Sequence, residues 1–181
     1  MSQNPFETGQ RKVIPAVLAY LRCGDEVLMI HRSGRKDGKP DFHKGRWNGL
    51  GGKLEADESP LAAACREIQE EAGLRISKDR FRAVGFLLFP NFKPQKKEDW
   101  QVTVFTAELK KEEKSLVQGE SAEGQLVWVS EKQVMGLNLW PGDQLFIPDV
   151  LRGNPFCGTI WYREGEVDQH ELMNILGASG R

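Results

Sequence analysis

The feature that most restricts the fold of this chain is a glycine-rich segment followed closely by a short helix. Residues 47–54 read Trp-Asn-Gly-Leu-Gly-Gly-Lys-Leu, and Ser59 then offers a side-chain cap to a helix whose first turn contains Pro60. Gly73 stands where a left-handed residue ends such a helix. One apolar face follows helical spacing: Leu61, Ala64, Cys65, Ile68 and Ala72. The pattern predicts a loop–helix–loop unit packed on a core.

The polar side of this helix carries three glutamates, Glu67, Glu70 and Glu71, related by i,i+3 and i,i+4. Like charges at this spacing repel, and a solvated acidic face is a sufficient explanation of the three alone. The glycine loop, Glu58 near the helix start and a neighbouring Arg66 favour a second explanation. Carboxylates grouped in this way suit a hard divalent cation, which neutralises charge as a P–O bond breaks.

The rest of the chain reads as strands and turns of a single α+β domain. Strands are predicted over 13–21, 26–32, 83–89, 102–109 and 126–129, a helix over 144–151, and a hairpin over 158–172 that turns at Glu164-Gly165. Residues 33–44, 93–99 and 110–114 are predicted as loops or turns. One domain over residues 12–174 is expected, with a flexible N-terminal arm (1–11) and a flexible C-terminal tail (175–181).

Composition excludes several classes of protein. The formal net charge is −1, so no overall basic field favours a nucleic acid or a membrane. The three cysteines are too widely spaced for a zinc site or a disulfide framework, and the three histidines are scattered. No apolar run reaches the roughly 20 residues of a membrane span, and the N-terminus lacks the apolar stretch of a signal peptide. A cytoplasmic protein with no membrane partner is expected.

The spacing of the glycine, glutamate and arginine residues resembles a complete Nudix box. Gly52 is followed by five residues, Glu58, seven residues, and then residues 66–74 as Arg-Glu-Ile-Gln-Glu-Glu-Ala-Gly-Leu. The resemblance implies the Nudix fold, a mixed β-sheet flanked by helices in an α/β/α sandwich. It also implies a hydrolase of phosphoric anhydrides, a nucleotide as its partner, and Mg²⁺ as the cofactor, with Mn²⁺ as a substitute.

The same resemblance implies roles for the box residues. The metal ligands would be a backbone carbonyl of Gly51 or Gly52 together with the carboxylates of Glu67, Glu70, Glu71 and Glu123. The predicted catalytic group is Glu67, Glu70 and Arg66. Glu67, Glu70 or a further carboxylate would help deprotonate the attacking water, and the family varies on this point. Arg66 and Glu58 would orient the others rather than react.

Outside the box, from Val13 to Leu172, the chain is similar to the MutT-like and human-type hydrolases of oxidised purine nucleoside triphosphates. Its marks are residues 45–53, residues 100–105, Glu123 with Trp128, and the segment Trp140-Pro141-Gly142-Asp143. This similarity implies 8-oxo-dGTP or a related nucleotide as substrate, with a monophosphate and pyrophosphate as products. Human-type enzymes carry two adjacent aspartates after Trp-Pro, whereas this chain has Gly142 and Asp143. The departure bears on base discrimination and not on hydrolysis.

Four residues are predicted to bind the base. Trp140 is a stacking platform or a buried structural tryptophan. Asn48 offers an amide to a base edge or serves only a turn. Asp143 accepts hydrogen bonds from a guanine or merely caps the helix at Gln144. Phe89 lines the pocket, by analogy with the family, or is an ordinary inward strand residue.

Two residues are predicted to contact phosphates: Lys53 beside the glycine loop, and Arg32 at the end of the second strand. The basic loop 35–46 is either solvated surface or a means of steering a polyanion.

Other substrates remain alternatives within the same fold. Pro90 lies sixteen residues beyond Leu74, close to where ADP-ribose hydrolases carry a proline. An RNA 5′ end is a further alternative, although no stable nucleic-acid partner is expected. A non-enzymatic alternative is a Nudix domain that binds a nucleotide without cutting it. Such modules typically lack box carboxylates, and this chain has them all. The sequence gives no indication of oligomeric state.

Overall fold

The computed structural model describes residues 4–33 and 43–175. The strands are β1 (Lys12–Cys23), β2 (Glu26–Arg32), β3 (Trp47–Asn48), β4 (Phe81–Lys93), β5 (Glu98–Glu108), β6 (Gly124–Ser130), β7 (Phe156–Arg163) and β8 (Glu166–Asn174). The helices are α1 (Pro60–Ala72), α2 (Lys111–Lys114), α3 (Glu131–Val134) and α4 (Asp143–Arg152). Most of the predicted loop 33–44 and all but one residue of the predicted tail 175–181 lie outside the described residues.

The strands form one mixed sheet in the order β3-β2-β1-β5-β4-β7-β8, with β6 paired to β2. β1 runs parallel to β5 from Lys12 opposite Glu98 to Arg22 opposite Glu108. In contrast, β1 pairs with β2 only over Leu21 to Cys23. The two strands therefore part along most of their length, and the gap between them receives the glycine-rich loop.

The glycine-rich loop is tied to β1 by backbone hydrogen bonds. The amide of Ala19 donates to the carbonyl of Leu50 at 2.7 Å, and the amide of Val17 donates to the carbonyl of Gly52 at 2.8 Å. Gly51 has φ 141°, and a Cβ there would lie 2.2 Å from the Val17 carbonyl oxygen. Only glycine permits this approach, so the loop is held against the middle of the sheet.

Helices cover both faces of the sheet, and each face has its own core. α1 buries Ala63, Ala64, Ile68 and Ala72 on one face, among apolar residues of β1, β2 and β5. α4 buries Phe146, Ile147 and Val150 on the other. The α+β class and the predicted sandwich are confirmed.

The predicted ends of α1 are also confirmed. Ser59 Oγ accepts from the Ala62 amide at 3.2 Å, and Gly73 is left-handed with φ 73°.

Two predicted turns were wrong in part. Residues 110–114 contain a single helical turn, α2, because the Glu113 carboxylate accepts from the Lys110 amide at 2.7 Å and satisfies a first-turn donor. Residues 98 and 99, predicted to lie in a polar surface turn, belong to β5, and Asp99 is buried. The parallel pairing with β1 draws this end of β5 into the sheet, and Arg11 compensates the buried carboxylate.

Cys23 is buried, Cys65 and Cys157 are half-buried, and all three are free thiols. Within residues 4–33 and 43–175, no helix combines the length and apolarity needed to cross a bilayer.

Candidate active site

A cleft of about 1020 Å³ opens beside the glycine-rich loop and brings most of the predicted site residues together. Its walls include Arg32, Asn48, Gly51, Lys53, Arg66, Glu67, Phe89, Glu123, Trp140 and Asp143. Two predicted ligands lie next to this surface rather than on it. Glu71 is buried behind Gly51, and the side chain of Glu70 is 58% exposed on the outer side of α1.

At one end of the cleft Arg66 organises the acidic residues, and we call this the acidic end (Gly51, Gly52, Glu58, Arg66, Glu67, Glu70 and Glu71). The Nε and one terminal nitrogen of Arg66 donate to the two oxygens of Glu58, both at 2.9 Å. Its other nitrogen donates to Glu67 at 2.9 Å and to Glu70 at 3.4 Å. A donor of this fixed fork shape holds the carboxylates in place, and it uses only one oxygen each of Glu67 and Glu70.

Glu71 is a buried carboxyl group held under the glycine-rich loop. Its Oε2 accepts from the Gly51 amide at 2.9 Å. Burial raises the pKa of Glu71 to about 8, and the Gly51 hydrogen bond opposes this shift only partly. The pKa of Glu67 is also raised by burial, against the influence of Arg66. Negative charge at this end is therefore under-compensated by the protein alone.

The donor set at the acidic end suits a hard divalent cation. A Cβ on Gly52 would lie 2.4 Å from Glu67 Oε1, so the backbone passes directly over that carboxylate. The Gly52 carbonyl is used by Val17, whereas no hydrogen bond from the described residues reaches the Gly51 carbonyl, which favours Gly51 as the backbone ligand. Among residues 4–33 and 43–175, no three acidic, histidine or cysteine side chains already converge on one point. Arg66 and the Gly51 amide hold the glutamates in the arrangement described above.

Arg32 and Glu123, predicted for different roles, form an ion pair with each other at the edge of the cleft. The Arg32 side chain is mostly buried and Glu123 is half-exposed. Arg32 also lowers the pKa of Glu71, so it lies within electrostatic reach of the acidic end. Lys53 lies with its ammonium 5.3 Å from the centre of the Trp100 ring and lines the cleft beside the loop.

The other end of the cleft is aromatic, and we call it the aromatic end (Phe89, Phe92, Trp100, Trp140 and Tyr162). Phe92 lies at its centre, with ring centroids 5.6 Å from Phe89, 5.4 Å from Trp100, 6.5 Å from Trp140 and 5.7 Å from Tyr162. The rings pack on one another at tilted and edge-on angles, and together they give this end of the cleft an apolar, aromatic lining.

Trp140 is largely buried and also forms part of the cleft wall. The structure is therefore compatible with both predicted roles, a stacking platform and a structural core residue. Its indole nitrogen donates to His43 Nδ1 at 3.1 Å, and the Arg46 guanidinium lies 4.8 Å from the ring centroid. Phe89 is likewise an inward strand residue and a wall of the cleft. Asn48 ends β3 and lines the cleft, and its side-chain oxygen accepts from the Gly49 amide at 2.9 Å.

Asp143 is a buried carboxyl group at the aromatic end. It is the first residue of α4, and no donor within residues 4–33 and 43–175 reaches its Oδ2. The predicted capping of Gln144 is not seen, because the Gln144 amide donates instead to the Trp140 carbonyl at 3.4 Å. Burial raises the pKa of Asp143 to about 7, opposed by the charge of Arg46. A buried, unpartnered carboxyl oxygen is a ready acceptor for a ligand.

Tyr162 explains why Gly142 stands beside Asp143. The Gly142 amide donates to the Tyr162 hydroxyl at 2.8 Å, and a Cβ on Gly142 would lie 2.3 Å from that oxygen. The hydroxyl fills the space that a second aspartate side chain needs. The proton of the Tyr162 hydroxyl points away from the Gly142 amide, because the oxygen accepts a hydrogen bond from that amide.

The sequence predicted no base-pocket role for Phe92, Trp100 and Tyr162 of the aromatic end, or for His43 and Arg46, which contact Trp140. They come from distant parts of the chain, and no motif links them. The alternation of β7, which places Ile160 and Tyr162 on the same side as buried Phe156, is the one local signal for Tyr162.

The chain is similar in sequence and in fold to several known proteins. A family model described as NUDIX domain matches residues 12–150. The oxidized purine nucleoside triphosphate hydrolase of Mus musculus is 33% identical over 70% of this chain and 76% of its own. The dihydroneopterin triphosphate diphosphatase of Haemophilus influenzae is 30% identical over 66% of this chain and 74% of its own. A crystal structure of a MutT protein from Bacillus halodurans superimposes with a TM-score of 0.71 at 25% identity, covering 88% of this chain and 97% of that one.

Proposed function

The chain belongs to the NUDIX family, and on that premise we propose that it cuts a purine nucleoside triphosphate, with oxidised purines such as 8-oxo-dGTP among its substrates, to a monophosphate and pyrophosphate. The observation that carries this proposal is the pairing of an acidic end and an aromatic end in one cleft. A triphosphate has its charge at one end and its planar base at the other. A divalent cation bound at the acidic end would attract the phosphates, and the rings at the other end suit the base.

Nudix hydrolases generally use divalent metals, typically Mg²⁺. Here Glu67, Glu70, Glu71 and the Gly51 carbonyl would hold the ion, with Glu123 as a further ligand if it leaves Arg32. When bound, such an ion neutralises charge on the phosphate oxygens and on the leaving group.

The protein's own groups divide the remaining work. Glu67 or Glu70 accepts a proton from the attacking water, a contribution of about 10²–10⁴-fold in rate for a positioned base. Arg66 holds Glu67 and Glu58 at 2.9 Å and acts by orienting them. Lys53 and Arg32 supply positive charge where the phosphate chain would lie along the cleft.

At the aromatic end Trp140 stacks on the base and Phe89 closes the pocket. Asp143 accepts hydrogen bonds from the base edge, because its Oδ2 has no donor within the described residues. Asn48 contributes an amide N–H to the same edge.

A pterin triphosphate is a second candidate, favoured by the likeness to the Haemophilus influenzae enzyme. Its ring carries the same aminopyrimidinone edge as guanine, with adjacent N–H donors. A carboxylate at Asp143 accepts from that edge in either molecule. The two substrates differ in the second ring, which would face the aromatic residues.

Turnover of a substrate panel tests the proposal. The panel contains dGTP, 8-oxo-dGTP, dATP, dihydroneopterin triphosphate, ADP-ribose and triphosphorylated RNA, each with Mg²⁺, with Mn²⁺ and with chelator. We expect the highest kcat/KM for a guanine-type triphosphate, with loss of activity in chelator. Preference for ADP-ribose or RNA would replace the substrate assignment, and binding without turnover of any member would make the chain a non-catalytic module.

Reaction in ¹⁸O-labelled water locates the attacked phosphorus. We expect label in the monophosphate or in the pyrophosphate, according to which inner phosphorus is attacked. Release of orthophosphate with a nucleoside diphosphate left behind contradicts the proposed reaction.

A further inference from the structure

Phe92 lies at the centre of the aromatic end, in ring contact with Phe89, Trp100, Trp140 and Tyr162. Its centroid is 6.5 Å from that of Trp140, and the planes of the two rings are inclined by 68°. A flat base in contact with two rings needs about 7–8 Å between them, since each carbon–carbon contact spans about 3.5–4 Å. At this distance and inclination the two rings meet edge to face, so a base reaches the face of Trp140 on this side only when the Phe92 ring turns and moves outward.

The backbone that presents Phe92 departs from an ordinary strand. Asn91 is left-handed with φ 55° although it is not glycine. The pairing of β4 with β5 shifts register between Phe89 and Lys93, across the same residues. A side chain on such a bulge is re-aimed relative to the rest of the strand, and its direction depends on whatever keeps the bulge in place.

Asp99 stabilises this bulge from across the strand pair. Its side chain is only 7% exposed, and its Oδ1 accepts from the Asn91 amide at 2.5 Å. Arg11 completes the arrangement with two donors to the same carboxylate, of which the Nε bond to Oδ2 measures 3.2 Å. The next residue, Lys12, donates its amide to the carbonyl of Lys97 at 3.0 Å. The connection between β4 and β5 is therefore also bonded to the first residue of β1.

We propose that Arg11 is a positioning residue: through Asp99 and the left-handed Asn91 it holds Phe92 as the wall of the base pocket that faces Trp140. The inference rests on the proposed function in one respect, namely that a planar base enters the aromatic end. It gives the segment before β1 a part in base selection. Arginine suits this place because its planar fork satisfies both oxygens of a buried carboxylate, which a lysine ammonium does not do with the same geometry.

The chain offers a matched control for Arg11. Arg22 is at the other end of β1 and donates to Glu131 at 2.5 Å in another half-buried ion pair that lies outside the cleft. Arg11→Gln removes such a pair just before β1, and Arg22→Gln removes one near the end of β1 together with a longer contact of 3.4 Å to Glu108. A loss of stability is expected in both variants, whereas an effect on the base pocket is expected only in Arg11→Gln.

Steady-state kinetics on the full chain with the best triphosphate of the panel test the proposal. Phe92→Ala is expected to raise KM about five- to 150-fold, the range for loss of one stacking partner. Arg11→Gln is expected to raise KM about three- to tenfold with kcat within about twofold, and Arg11→Lys to recover part of that loss. Arg22→Gln is expected to leave KM unchanged. The double variant Arg11→Gln/Phe92→Ala is expected to match Phe92→Ala alone, because Arg11 acts through Phe92.

Three results would overturn the proposal. In the first, Arg11→Gln lowers the melting temperature but leaves KM at the wild-type value. In the second, the KM increases of the single variants multiply in the double variant. In the third, Arg22→Gln raises KM as much as Arg11→Gln does.

A titration with dGMP, followed by tryptophan fluorescence, separates this inference from the proposed reaction. If the wild type cuts no triphosphate but binds dGMP with an affinity that depends on Arg11 and Phe92, the reaction is wrong and the positioning role stands. If triphosphates are cut and the dGMP affinity is unchanged in Arg11→Gln and Phe92→Ala, the positioning role is wrong and the reaction stands.

Discussion

The acidic end and the aromatic end of the cleft are built in different ways. The acidic end comes from one continuous stretch, the glycine-rich loop and α1, within residues 51–71. The aromatic end is assembled from β4, β5, β7 and the segment before α4, which are far apart in the chain. A short range of sequence can specify chemistry by helical spacing alone, whereas a pocket wall depends on which strands become neighbours.

The two ends also compensate buried charge differently. At the acidic end Arg66 and the Gly51 amide reach the carboxylates directly. At the aromatic end Asp143 is buried, its Oδ2 accepts from no donor of the described residues, and Arg46 opposes its charge without a hydrogen bond. Substitutions at the acidic end should therefore lower kcat. Substitutions at the aromatic end should instead change the binding of the base or the pH dependence of stability.

The largest effect is expected from Glu70→Gln. The Glu70 side chain is 58% exposed, so an amide costs the fold little while removing a negative oxygen. We expect kcat to fall by about 10²–10⁴-fold at an unchanged melting temperature. Glu112→Gln, an exposed glutamate in α2, serves as the control. Activity within threefold of wild type would remove Glu70 from the list of ligands and bases.

Asp143→Asn is expected to change how stability depends on pH. The pKa of Asp143 is raised to about 7 in the folded protein, above that of the unfolded chain, so the native state binds the extra proton and loses stability as pH rises through 7. Between pH 5 and pH 8 the wild type should lose about 2–3 kcal/mol in free energy of unfolding relative to the asparagine variant. Urea unfolding of both proteins at the two pH values measures this. An equal change in both would mean that Asp143 is already ionised at pH 5.

Trp140→Ala is expected to weaken binding of the base by about 1–3 kcal/mol, which raises KM about five- to 150-fold. The value of kcat should change less, since stacking stabilises ground state and transition state alike. Trp128→Ala, in β6 outside the cleft, controls for the loss of a large side chain. A sharp fall in melting temperature with KM unchanged for every nucleotide would support the reading of Trp140 as a core residue.

The smallest effect is expected from Tyr162→Phe, which removes one hydroxyl that accepts from Gly142. We expect a loss of about 1 kcal/mol in stability and a change of a few fold in the preference among bases. The same variant should tolerate Gly142→Ala better than the wild type does, because the Tyr162 oxygen lies 2.3 Å from the position of the new Cβ. Thermal melts of the four proteins of this cycle measure the coupling, and additive losses would show that the hydroxyl does not exclude a side chain at Gly142.

Much of the fold was predictable from local patterns. The strand 26–32, the caps of α1 at Ser59 and Gly73, and the hairpin turn at Glu164-Gly165 all depend on neighbours in sequence. The burial of Asp99 was not predictable in this way. A polar residue next to lysines reads as a surface turn until a distant strand is known to pair there and Arg11 is known to meet it.

The sequence by itself determined the acidic end, because the 3.6-residue repeat of a helix and the left-handed freedom of glycine act over a few residues. Only the tertiary structure decided the aromatic end. Its contacts join Phe92 to Trp140 and Tyr162, and Gly142 to Tyr162, across the sheet order β5-β4-β7. Strand order is set by the summed packing of both faces of the sheet, and no single stretch of the chain carries that information.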